Sequence, residues 1–259
     1  MSVPCGHCLE CLEEKRQAWC FRLDQELRAC NVSYFVTLTY DDDNLTYAAE
    51  QACLVKRDLQ LHFKSIRKRL EPRTVKYFAV GEYGSSVTAR PHYHYLFFYH
   101  GARTRFDILK IIKDCWSYGF SKVLPVSGAQ GYVTKYVLKF DKRDFLVKPF
   151  SMISHGLGIS YLTDSMIAFH QKNLLSFATK PGGYRITLPR YYKDKIFNSG
   201  QKLVMKKRSD MHRQELELAR LNRIDFQFDL GLNPFQKMVE NYQNRLYRSI
   251  QLYKNKRKL

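Results

Sequence analysis

Two neighbouring stretches, VKYFAVGE (residues 75–82) and HYHYLFFY (residues 92–99), constrain this chain more than any other feature of it. The first mixes valine with aromatic residues, the second is largely aromatic, and the turn-forming run Gly84-Ser85-Ser86 lies between them, so they read as the two strands of a hairpin. Residues i and i+2 of a strand share a face, so His92 and His94 point the same way, and their face continues through Leu96 and Phe98 into a core. Tyr93, Tyr95 and Phe97 point to the opposite face, where they read as core or helix-packing residues. Paired positions in an antiparallel hairpin have a constant sum. Setting Glu82 opposite His92 brings Val80 opposite His94 and Phe78 opposite Leu96, which gathers the apolar and the polar positions onto one face.

An ordinary core strand has little use for two imidazoles two positions apart. Two imidazoles and a carboxylate suit a borderline divalent ion such as Mn²⁺. Mg²⁺ fits if a bound nucleic acid adds oxygens, and Zn²⁺ is a further candidate. The competing reading is of structural or surface histidines on an aromatic strand, and H-x-H alone does not decide between the two.

The remaining elements build outward from the hairpin. SYFVTLTY (Ser33–Tyr40) alternates as a strand and ends in the acidic turn Asp41-Asp42-Asp43-Asn44. Over Lys56–Leu70, apolar Leu59, Phe63, Ile66 and Leu70 form one helical stripe, with the basic residues mostly outside it. Helical spacing returns over Phe106–Trp116, a short strand covers Phe120–Val126, and a further helix covers residues 130–139. The order β-α-β-β-α-β-α predicts an α+β fold: a ferredoxin-like, split βαβ antiparallel sheet with helices on one face. Residues 181–192 read as a turn and a strand, and from Val204 onward charged helical stretches dominate. The expected divisions are a cysteine-rich segment (1–30), the sheet domain (31–200) and a basic, mostly helical C-terminal region (201–259).

A formal charge of +19 over 259 residues makes a polyanion the expected partner, with nucleic acid ahead of an anionic membrane surface. No apolar run reaches the roughly 20 residues that cross a bilayer, and the opening residues lack the apolar core of a secretory signal. Seven cysteines, four of them at positions 5, 8, 11 and 20, favour a reducing, intracellular setting. Cys5, Cys8 and Cys11, with His7 or Cys20 as fourth, are candidate ligands of a structural Zn²⁺. Reduced thiols capping the first helix are the alternative. No G-x-x-x-x-G-K-[ST] phosphate loop is present, so an ATP-driven motor is unsupported.

On the helix at 130–139, Tyr132, Lys135 and Tyr136 lie on one face. A tyrosine can attack a phosphodiester to give a phosphotyrosine, and a nearby cation such as Lys135 favours the phenolate. Packing of an aromatic helix face on the sheet is the competing reading of the pair.

Taken in order, FVTLTY (35–40), GEYG with RPHYH (81–84 and 90–94) and YVTKYVLK (132–139) resemble motifs I, II and III of HUH endonucleases, the rolling-circle replication initiators. The Y-x-x-K-Y form resembles the initiators of microviruses, and the cysteine-rich start is similar to that of their gokushovirus members. The resemblance covers roughly residues 3–140. It implies nicking of one strand of a circular replicative form at an origin, a covalent 5′-phosphotyrosine, a free 3′-OH, and later rejoining of the displaced strand. By the same resemblance His92 and His94, with Glu82, hold Mn²⁺ or Mg²⁺, Tyr132 and Tyr136 are the nucleophiles, and Lys135 assists them. A host polymerase and helicase in the bacterial cytoplasm are the implied partners. The rival readings are another HUH enzyme, such as a transposase or relaxase, and a non-enzymatic DNA-binding module.

Overall fold

The computed structural model describes residues 5–6, 8–71, 74–84, 89–126, 145–180, 182–229, 239 and 244. Tyr132, Lys135 and Tyr136, the helix expected at 130–139 and His7 lie outside the described residues. The chain divides into two compact units, Met1–Ile196 and Phe197–Leu259.

The first unit is built on a five-stranded antiparallel sheet. Helix α1 (Leu9–Ala29) leads into β1 (Val32–Thr39). A two-residue hairpin, β2 (Tyr47–Ala48) and β3 (Gln51–Ala52), precedes α2 (Lys56–Arg69). Next come β4 (Val75–Tyr83), β5 (Pro91–Tyr99), α3 (Arg105–Asp114), β6 (Ser121–Pro125) and β7 (Phe150–Ile153). A single 3₁₀ turn (Ile159–Tyr161) then leads to α4 (Asp164–Asn173), the small hairpin β8 (Phe177–Thr179) and β9 (Arg185–Thr187), and α5 (Arg190–Ile196). The sheet order is β6-β1-β5-β4-β7, so β5 is central, flanked by β1 and β4. The chain runs β1-α2-β4 and β5-α3-β6, each helix carrying the chain past one intervening strand, β5 for α2 and β1 for α3.

The alternation of β1 and β5 decides what each face buries. Val32, Tyr34, Val36 and Leu38 share one face with Tyr93, Tyr95, Phe97 and Tyr99, and α2 (Leu59, Phe63, Ile66) and α3 (Ile108, Ile112) pack against them. This core tolerates buried tyrosines whose phenols reach partners. Tyr34 donates to the Arg105 carbonyl (2.8 Å), Tyr83 to that of Val147 (2.7 Å), and Tyr93 to that of Val55 (2.9 Å). Thr104 accepts from the Asp107 N–H (3.2 Å) and so caps α3.

The expectation of helices on one face only needs correction. The second face carries Phe78, Val80, Leu96 and Phe98, all buried, and α1 covers it with Leu23, Trp19 and Leu27. An antiparallel sheet whose two faces are both apolar needs a cover on each. Trp19 meets Phe78 edge-on, 5.1 Å between ring centroids. Glu26, buried on α1, pairs with Lys76 of β4 (2.8 Å) and with His100, and accepts the Gly158 N–H. Burial opposes its charge, but those bonds outweigh the penalty and hold its pKa below the ordinary carboxylate range.

The second unit contains α6 (Ser199–Asp229), on which Lys206, Lys207 and Arg208 are exposed beside Leu203 and Met211. Among the described residues no helix is long and apolar enough to cross a membrane.

Candidate metal centre

The hairpin register is the one its residues require. Glu82 pairs with His92, Val80 with His94 and Phe78 with Leu96. A one-residue slip would send both histidines to the tyrosine face, into the core under α2 and α3, so burial of the apolar alternates fixes where the imidazoles stand. The second face is apolar under α1 and turns polar at its His92 end.

At that end the ligand atoms of Glu82, His92 and His94 all lie within 4.8 Å of one another. The Nε2 atoms of His92 and His94 are 3.1 and 3.3 Å from the same Glu82 carboxylate oxygen. Glu82 and His94 are buried and His92 is partly exposed, so the group opens to solvent on one side.

Both rings are oriented from behind. His92 Nδ1 lies 3.1 Å from the Arg90 carbonyl, which only accepts, so Nδ1 carries the proton. His94 Nδ1 lies 2.9 Å from Thr37 Oγ1, and Thr37 is the cross-strand partner of His94 on β1. Phe35 stacks on the His94 ring, 5.6 Å between centroids at 12°. With Nδ1 protonated, the Nε2 lone pair of a neutral His92 faces a carboxylate oxygen. Two acceptors that close need a shared proton or a cation between them. Imidazoles held at Nδ1 by a carbonyl or hydroxyl, with Nε2 converging on a carboxylate, form the arrangement that outer partners give to metal-ligating histidines. The donor set therefore fits a divalent ion.

The neighbouring phenols do not complete this site. Tyr83, Tyr93 and Tyr95 are buried on the other face. Burial pushes their pKa values up, that of Tyr93 to about 12, which keeps them protonated at neutral pH.

Two residues near the site escaped the sequence reading. Thr37 sits in the FVTLTY stretch, and its role follows only from the β1–β5 register. Lys122 of β6 pairs with Thr37 in turn, so Lys122, Thr37 and His94 lie in one cross-strand row on the same face. Lys122 is exposed.

The cysteines separate into two places. The sulfurs of Cys5, Cys8 and Cys11 also lie within 4.8 Å of one another. Cys20 does not join them. Nine residues beyond Cys11 along a helix it is displaced by about 13 Å, and it is buried with Arg16 Nη1 3.8 Å from its sulfur. That takes Cys20 out of the set of candidate zinc ligands.

Comparison with known proteins gives a consistent outcome. The family model described as replication-associated protein ORF2 matches residues 33–141, a span that contains Thr37, Glu82, His92, His94 and positions 132–136. The chain is 28% identical over 217 residues to the replication-associated protein ORF2 of Spiroplasma virus 4, an alignment covering 74% of this chain and 66% of that protein. It is 26% identical over 223 residues to the replication-associated protein VP4 of Bdellovibrio phage phiMH2K, covering 74% and 67%. No solved structure matches it. The chain thus spans about two thirds of the length of the curated relatives it matches, and what it is similar to are replication-associated proteins of small bacterial viruses.

Proposed function

We propose that this chain initiates rolling-circle DNA replication by nicking one strand of a circular duplex, as an HUH endonuclease on a ferredoxin-like sheet. The observation that carries this reading is the convergence of Glu82, His92 and His94 at the open end of the sheet, within 4.8 Å and with both rings oriented from behind. The order β6-β1-β5-β4 with crossover helices α2 and α3 supports the fold assignment. The viral replication proteins to which the chain is similar support the process.

In this reading Glu82, His92 and His94 hold Mn²⁺ or Mg²⁺, which when bound polarises the scissile phosphate. Thr37 and the Arg90 carbonyl keep both Nε2 atoms directed at the ion. Lys122, in the His94 row, steers the DNA backbone toward the site. Tyr132 or Tyr136 attacks phosphorus: the Tyr Oη–P bond forms, the P–O3′ bond breaks, and the 3′ oxygen leaves to become the primer end. Lys135 assists by favouring the phenolate. The phosphotyrosine conserves the energy of the broken bond, so rejoining needs no nucleoside triphosphate. A second tyrosine permits a second transfer while the first releases its strand. Synthesis and unwinding fall to a host polymerase and helicase in the bacterial cytoplasm.

Supercoiled replicative-form DNA carrying the origin, incubated with the protein and Mn²⁺ or Mg²⁺, should give a nicked circle. EDTA, and the double variant His92→Ala/His94→Ala, should abolish nicking while leaving DNA binding. Reversible binding without a nick would favour a non-enzymatic DNA-binding module. Undiminished nicking by the double variant would remove the metal site from the account.

A further inference from the structure

We propose that Cys5, Cys8 and Cys11 form a structural zinc clasp that fixes the start of α1. The three sulfurs lie within 4.8 Å of one another, and those of Cys5 and Cys11 are 4.0 Å apart. Zinc–thiolate bonds of about 2.3 Å set sulfurs about 3.8 Å apart around a tetrahedral ion, whereas a disulfide needs about 2 Å. The trio is at ion-sharing distance and is not disulfide-bonded.

The backbone is shaped for the same purpose. Gly6 adopts a left-handed conformation (φ +77°), with open space where a Cβ would stand. That turn brings the Cys8 N–H to the Cys5 sulfur at 3.2 Å, a bond that stabilises a charged sulfur. Cys8 is the N-cap of α1 and makes no side-chain capping bond. Cys11 lies in the first turn, and a zinc tri-thiolate, being net negative, suits the positive end of the helix dipole. Cys5 and Cys8 are exposed, where three converging sulfurs would repel one another as thiolates and oxidise readily without an ion. The trio supplies three of the four donors that zinc takes, and the fourth comes from outside it.

The clasp acts on the sheet through α1. The helix ends beside Tyr99, where the Asn31 N–H donates to the Tyr99 carbonyl (2.9 Å), and its Trp19 packs on Phe78, the strand neighbour of the Leu96 position. Followed backwards from Cys30, α1 therefore advances along β5 from its Tyr99 end toward its histidine end. A closed clasp holds the first turn of the helix that covers this face.

Cobalt titration of the full chain separates this site from the histidine centre, because only thiolate ligands give an intense sulfur-to-cobalt charge-transfer band. The metal-stripped His92→Ala/His94→Ala protein should bind a single cobalt ion with that band, and zinc should displace it. Cys8→Ser should lose the band yet keep its helix content, since serine is itself a favoured N-cap. Zinc should raise the melting temperature of the His92→Ala/His94→Ala protein and leave that of the same protein carrying Cys8→Ser unmoved. An absent band, a band retained by Cys8→Ser, an intramolecular disulfide in the freshly isolated protein, or an iron–sulfur chromophore would each overturn the proposal. None of these outcomes bears on the nicking reading, which rests on other residues.

Discussion

Thr37 illustrates how a single hydroxyl sets the chemistry of a neighbour. Its Oγ1 lies 2.9 Å from His94 Nδ1, and its position directly across from His94 leaves the imidazole one orientation. Thr37→Val keeps the β-branched shape and removes only the hydrogen bond. Mn²⁺ affinity, measured by calorimetry, should weaken by about 10- to 100-fold with the melting temperature little changed. Affinity equal to that of the parent would show that the ring is held by packing on Phe35 alone. No feature of FVTLTY marks Thr37 over Thr39. Only the register singles it out, and that register depends on a strand more than fifty residues away.

At the scale of elements, two contacts make predictions. His62 of α2 is buried and ties the helix to β5 and to the end of α3: Nδ1–H donates to the Cys115 carbonyl (3.1 Å) and Nε2 accepts from Tyr95 (2.7 Å). Burial pulls its pKa down to about 4, against a smaller opposing effect of the Cys115 bond. An unfolded histidine takes up its proton near pH 6.5, so the neutral buried ring favours folding above that value. That stability, about 3 kcal/mol, is lost as the pH falls from about 6.5 toward 4. Urea unfolding of the parent and of His62→Gln should show their stability difference shrinking across that window, and a constant difference would contradict the buried neutral ring. The second contact is the cross-strand row of Lys122, Thr37 and His94. Lys122→Met should leave stability within about 0.5 kcal/mol, as expected of an exposed position. It should also lower the slope of log affinity for duplex DNA against log salt by about 0.9. The hairpin was legible because its faces differ: Phe78, Val80, Leu96 and Phe98 demand one register. The cover on the second face was not. Helix α1 is buried on more than one side, with Leu23 toward the sheet and Phe21 against Tyr161 and Tyr192, so it shows no clean apolar stripe. Strand β7 is four residues long and joins β4 from far downstream in the chain, so no local pattern announces it.

For the whole molecule, the charge of +19 and the open polar end of the sheet point to the same polyanion. If phosphates are the ligand, affinity should fall by about a thousandfold or more between 50 and 200 mM salt. A flat salt dependence would place the basic residues outside the interface. The sequence carried the hairpin, the gathering of Glu82, His92 and His94 at one end of it, and the sense of the charge. It left unread the residues that act only through long-range pairing, Thr37 and Lys122, and it grouped Cys20 with thiols that a helix sets about 13 Å away. The central claim is that a tyrosine of this chain becomes joined to DNA while Glu82, His92 and His94 hold the ion. Its most direct test is peptide mapping by mass spectrometry of the protein–DNA adduct formed on an origin oligonucleotide with Mn²⁺. The account predicts a 5′-phosphonucleotide on Tyr132 or Tyr136, lost in Tyr132→Phe/Tyr136→Phe and in His92→Ala/His94→Ala. Cleavage with no covalent adduct, or an adduct on a residue other than these two, would contradict it.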